Sequence, residues 1–80
     1  MDKSIYTQHQ ALLCNLLRQI RLSAGVQQEE LAQRLEKPQS FVSRYESGQR
    51  RLDLLELRQI CGAVGVSLRE LVERWEAQLP

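Results

Sequence analysis

The chain has 80 residues, of which 42% are apolar and 26% charged, with a formal net charge of +1 at neutral pH. That length predicts one domain, at the small end for a self-sufficient core. Four Gly and two Pro leave little room for a turn-rich β fold, and the abundance of Leu, Gln, Glu and Arg favours helix.

Five helices can be marked in chain order from caps and apolar spacing. Thr7 with Gln10 reads as a capping box opening the first. Leu13, Leu17, Ile20 and Ala24 then recur at helical spacing, and Gly25 suits the left-handed close. The second runs from about Gln28 to Leu35, with Leu31, Ala32 and Leu35 inward. After a short turn at Glu36 and Lys37, Pro38 starts the third, which reaches about Ser47 and ends at Gly48. Residues 49–52 read as a loop. Asp53 with Glu56 caps the fourth, which carries Leu54, Leu57, Ile60, Cys61 and Val64 and closes at Gly65. Ser67 with Glu70 caps the fifth, which carries Leu68, Leu71, Val72, Trp75 and Leu79. The fold class is therefore all-α: a five-helix bundle with its core over about residues 13–72.

Charge is unevenly spread. Residues 18–51 hold seven bases and four acids, whereas residues 52–80 hold three bases and five acids. A basic middle and an acidic tail fit a molecule with one phosphate-facing side. Catalysis is not indicated. His9 stands alone, reads as a surface residue, and has no triad partners or metal co-ligands. No Gly-rich phosphate loop or paired carboxylates appear, so neither a metal, a cofactor nor a small-molecule ligand is expected. Cys14 and Cys61 fall on apolar helix faces and read as buried thiols, not a disulfide framework. The stretch Ala11–Leu17 is broken by Asn15 and followed by Arg18, which suits neither a secretory segment nor a membrane span. A cytoplasmic protein with no membrane partner is the expectation.

Two short helices joined by a tight turn, at about residues 28–47, with a polar outer face on the second, describe a helix-turn-helix. Its second helix matches the width of the B-DNA major groove. The run from Gly25 to Ala32, followed by the run from Pro38 to Gly48, resembles the Cro/C1-type (Xre family) helix-turn-helix. The likeness extends over roughly Leu17 to Leu71. It implies a lambda-repressor-like DNA-binding domain with double-stranded DNA as partner.

The resemblance also implies roles. Gln39 and Ser40, with Ser43 and Arg44 one turn on, would reach base edges. Gln28, Ser47, Gln49, Arg50 and Arg51 would hold phosphates, supplying affinity and orientation. Arg21 and Glu46 would form an ion pair between the first and third helices. Three positions depart from the family pattern. Gln27 replaces a capping Ser or Thr, which predicts a less firm start to the second helix. Glu36 replaces the turn Gly, which requires either a positive φ or a changed turn. Phe41 is large for a groove-side position and is expected either on a thymine methyl or tucked against the turn.

The function expected is a transcriptional regulator, as a repressor or controller protein, acting as a homodimer on a near-palindromic operator. The apolar residues Leu71, Trp75 and Leu79 of the fifth helix are the candidate interface, with Trp75 folding onto the first helix as the alternative. The competing function is a protein-interaction or antitoxin-type module on the same fold. Such a module would favour apolar anchors on the third helix rather than Gln, Ser and Arg.

Overall fold

The computed structural model describes the backbone of residues 3–80 and the side chains from Thr7 onward. Five helices follow in order: α1 Lys3–Ser23, α2 Gln28–Leu35, α3 Gln39–Glu46, α4 Leu54–Val64 and α5 Leu68–Gln78. Among the described residues there is no strand, so the all-α reading holds. Among the described residues no helix is long and apolar enough to cross a membrane.

The first helix does not open at Thr7. It runs through that residue from Lys3, because a capping pattern ends a helix only where the preceding backbone leaves helical geometry. At α4 the expected box forms in full. Asp53 Oδ1 accepts from the Glu56 N–H at 2.8 Å, and Glu56 Oε1 accepts from the Asp53 N–H at 3.0 Å. Ser67 Oγ accepts from the Glu70 N–H at 3.0 Å and caps α5. Neither α2 nor α3 has a side-chain cap: Gln27 and Pro38 occupy those positions in extended backbone.

The turn between α2 and α3 is closed by Glu36 in the left-handed region, at φ 56° and ψ 42°. The conformation lets the Lys37 N–H reach Ala32 O at 2.9 Å, satisfying a last-turn carbonyl. Holding a β-carbon there costs about 1–2 kcal/mol. Glu36→Gly is therefore expected to raise unfolding free energy by about 1 kcal/mol. A denaturant midpoint at or below that of the parent chain would contradict strain at this residue.

All five helices contribute to the core. Leu16, Leu17 and Ile20 of α1 meet Leu31 and Ala32 of α2, Phe41, Val42 and Tyr45 of α3, Ile60 and Cys61 of α4, and Leu71 of α5. Ala24, Leu54, Val72 and Leu79, expected on apolar faces, lie outside it. Ala24 is exposed and Val26, past the turn, is buried instead. Leu54 is 64% exposed, since as the first residue of α4 it projects beyond the packed face.

Leu71, expected at a partner surface, has no exposed area and sits wholly within its own chain. Trp75 is half-buried against the same core. Its indole N–H donates to the carbonyl of His9 at 3.0 Å, and its ring meets the His9 imidazole edge-on at 6.4 Å. This contact pins α5 across α1. His9, expected on the surface, is half-buried as a result. Cys14 and Cys61 are buried free thiols. Burial pushes both above the usual thiol range, which leaves little reactive thiolate at neutral pH.

Candidate nucleic-acid interface

α3 has two unlike faces because its residues alternate at helical spacing. Phe41, Val42 and Tyr45 point inward, while Gln39, Ser40, Ser43 and Arg44 are exposed together on the other side. α2 packs across α3 and fixes its tilt. Val42 and Tyr45 have no exposed area, so the outer face is presented from a rigid base. The Tyr45 hydroxyl lies in that base with no hydrogen-bond partner. Burial pushes its ionisation far above the ordinary phenol range, so it stays neutral.

A sheltered ion pair anchors α3 to α1. Arg21 Nε donates to Glu46 Oε2 at 2.7 Å, and a second guanidinium nitrogen, Nη2, donates to Oε1 at 3.0 Å. The side chains are 7% and 3% exposed. The third nitrogen, Nη1, donates to Val26 O at 2.8 Å, so the guanidinium also holds the turn before α2. Gln28 Nε2 donates to Glu46 Oε1 at 3.0 Å. The start of α2, the end of α3 and the last turn of α1 thus meet on one carboxylate. This use of Gln28 takes one amide hydrogen and leaves the other for an outside acceptor.

The loop after α3 divides its two arginines. Arg51 is exposed, and among the described residues no hydrogen bond or ion pair engages its guanidinium. Arg50 is part-exposed but engaged by the chain itself. Its two terminal nitrogens donate to Glu56 at 3.1 and 2.9 Å, and one also donates to Arg51 O at 3.0 Å. Its guanidinium carbon lies 4.7 Å from the Phe41 ring centroid. Glu56 is held well below the usual carboxylate range, first by Arg50 and then by the Asp53 N–H. Arg50 is thus a strut between α3 and α4, with its charge already matched. Phe41 is tucked under it, edge-on to Tyr45 at 5.5 Å and flanked by Lys37, rather than turned out as a free apolar contact. Ser47 Oγ donates to Arg44 O at 3.1 Å, which leaves that hydroxyl's lone pairs, not its proton, facing outward. Gln49 is exposed.

One residue on this side escaped the sequence reading. Arg18, exposed on α1, lines one depression with Gln28, Ser43 and Ser47 and another with Gln27 and Gln39. It lies one helical turn before Arg21, the spacing that puts two residues on one face, and this was the available signal. Among the described residues no cluster of His, Cys, Asp or Glu is arranged to hold a metal ion.

The helix-turn-helix family profile matches residues 17–71, and these contain α2, α3 and α4 whole. A solved structure, an XRE-family like protein from Pseudomonas syringae pv. tomato, shares 41% identity with this chain. The match covers 98% of this chain and 95% of the other, at a TM-score of 0.90. This chain belongs to the XRE family of helix-turn-helix proteins. A more distant likeness is to the clp gene regulator ClgR from Corynebacterium glutamicum, at 24% identity and a TM-score of 0.80. That match covers 89% of this chain and 76% of the other, and in a second ClgR structure 90% and 92%. At that distance it speaks for the XRE-type fold alone. No curated protein sequence matches the chain.

Proposed function

We propose that this XRE-family chain is a sequence-specific DNA-binding regulator of transcription, acting as a repressor or controller protein. The observation that carries the reading is the outer face of α3. Gln39, Ser40, Ser43 and Arg44 stand exposed together on a helix whose other face is fully packed. These side chains have the donors and acceptors that major-groove base edges require, and a bidentate Arg or Gln suits guanine or adenine. The unmatched Arg18 and Arg51 beside them suit phosphates. Gln28 and Gln49 add amide donors for the backbone, Ser47 would first have to turn its hydroxyl away from Arg44 O, and the charge of Arg50 is committed to Glu56.

The working unit is a homodimer on a near-palindromic operator. One recognition helix reads only a few base pairs, too few to choose a site in a genome. Two copies on a two-fold axis place their α3 helices about 34 Å apart, one turn of DNA. Since Leu71 and Trp75 are engaged within the chain, the exposed Leu22, Leu54 and Leu55 and the half-buried Leu79 are apolar candidates for the contact.

The test is to select bound sequences from random DNA and then measure binding of two variants to the winner. Arg44→Ala is expected to relax preference at one position of each half-site, at about 1–3 kcal/mol. Arg51→Ala is expected to weaken all sequences alike and to flatten the salt dependence by about one unit per contact. The complex should contain two chains per operator. Failure to enrich any sequence, or loss of the same base preference in both variants, refutes the assignment.

A further inference from the structure

Resting on the DNA-binding reading above, we infer that Glu56, on α4 and outside the α2–α3 unit, is a specificity-determining residue. It withholds Arg50 from the DNA backbone and commits that guanidinium to aiming the first turn of α3. Both Glu56 oxygens accept from Arg50, at 3.1 and 2.9 Å, and one of them also accepts from the Asp53 N–H. The carboxylate that closes the α4 cap is fixed in place, so Arg50 must come to it. The Arg50 side chain is 40% exposed. What keeps it from an outside phosphate is therefore its partner and not burial. A phosphate would have to displace a two-pronged carboxylate contact, one of the strong forms of hydrogen bonding.

The other half of the device is Phe41. The Arg50 guanidinium carbon lies 4.7 Å from the Phe41 ring centroid, and Lys37 Nζ lies 5.6 Å from it. A planar guanidinium stacks on an aromatic face while its edge still holds a carboxylate, so Arg50 serves both partners at once. Phe41 is the third residue of α3 and follows Gln39 and Ser40 directly. That turn has no side-chain cap, so its aim depends on how Phe41 is seated. The far end of α3 is held differently: the N–H groups of Gln49 and Arg50 both donate to Arg44 O, at 2.9 and 3.3 Å. Glu56 thus acts through Arg50 and Phe41 on the end of α3 that carries Gln39 and Ser40. It is a positioning residue that gives up one phosphate contact, which any sequence would reward, for alignment, which only the right sequence rewards.

The full chain is titrated with its selected operator and with a scrambled duplex of equal length, between about 50 and about 200 mM salt. The variants are Glu56→Gln, Arg50→Ala, the two combined, and Glu73→Gln on α5 as a control for loss of a distant acid. Glutamine keeps an oxygen to close the cap and removes the charge that holds Arg50. Glu56→Gln is expected to bind the scrambled duplex more tightly and to steepen the slope of log affinity against log salt by about 0.9 per chain. The ratio of operator to scrambled affinity falls by about tenfold, the scale of one base contact, with the loss at the bases read by Gln39 and Ser40. Arg50→Ala lowers the same ratio at the parent slope. The combined variant returns the slope to that of the parent, and Glu73→Gln changes neither quantity. A purely structural role for Glu56 would weaken both duplexes alike and leave the slope where it was. That result, or a folded Glu56→Gln with the parent ratio and slope, overturns the inference and leaves the regulator reading standing. A flatter slope in Arg50→Ala overturns it too, since Arg50 then holds a phosphate in the parent chain. If Glu56→Gln fails to fold by circular dichroism, the ratio and slope of Arg50→Ala decide. Selection of no sequence by the parent chain refutes the regulator reading, and this inference with it.

Discussion

Glu46→Ala is expected to lower unfolding free energy by about 3–5 kcal/mol, the usual cost of breaking a sheltered ion pair from one side. A domain of this size holds on the order of 5–10 kcal/mol in total, so the variant sits close to its unfolding threshold. The size follows from what is left behind. Arg21 cannot shed its proton, and without Glu46 two of its nitrogens lose their acceptors in a site where the side chain is 7% exposed. Gln28 loses its partner at the same moment. Glu46→Gln retains an acceptor oxygen and should fall between parent and alanine variant. Urea titration at two protein concentrations gives the comparison. A Glu46→Ala midpoint within error of the parent would mean that the three helices do not depend on this carboxylate.

Leu71→Ala should cost about 2–5 kcal/mol, the range for emptying a fully buried leucine site. Leu71 has no exposed area and belongs to the cluster shared by all five helices. Its loss leaves a cavity that only a shift of α5 can fill. The effect should not depend on protein concentration, and sedimentation of the variant should match the parent. A concentration-dependent loss, or a change of oligomeric state with little loss of stability, would return Leu71 to an interface.

Local signals in the sequence translated well into helices, because they involve atoms a few residues apart. Asp53 and Glu56 are three residues apart, and their box forms as the spacing predicts. At Glu36 the sequence left either a positive φ or a changed turn, and the residue adopts the positive φ. The same local logic misplaced the start of α1, since Thr7 and Gln10 carry a capping pattern inside a helix already under way. Non-local partners were not legible. The apolar spacing of α5 showed that Leu71 and Trp75 form a face, but not that His9, 66 residues earlier, offers Trp75 its acceptor. Arg50 looked like a free cation because its partner, Glu56, was already accounted for as a cap. A carboxylate has enough lone pairs for both tasks, and Glu56 performs them together.

The distribution of caps divides the molecule into a frame and a reader. α4 and α5 have their first-turn N–H groups claimed by Asp53 and Ser67, whereas α2 and α3 begin at Gln27 and Pro38 with no side chain to claim theirs. A missing cap withholds about 1 kcal/mol from a helix, and α2 and α3 are only eight residues long. The free chain therefore carries its stability deficit in the two helices that would meet the nucleic acid. On the proposed reading, their idle N–H groups, at the positive ends of the helix dipoles, would be satisfied by an arriving anionic backbone. Binding would then tighten the reader against a frame that is already complete, and part of the affinity would come from the protein finishing its own hydrogen-bond inventory.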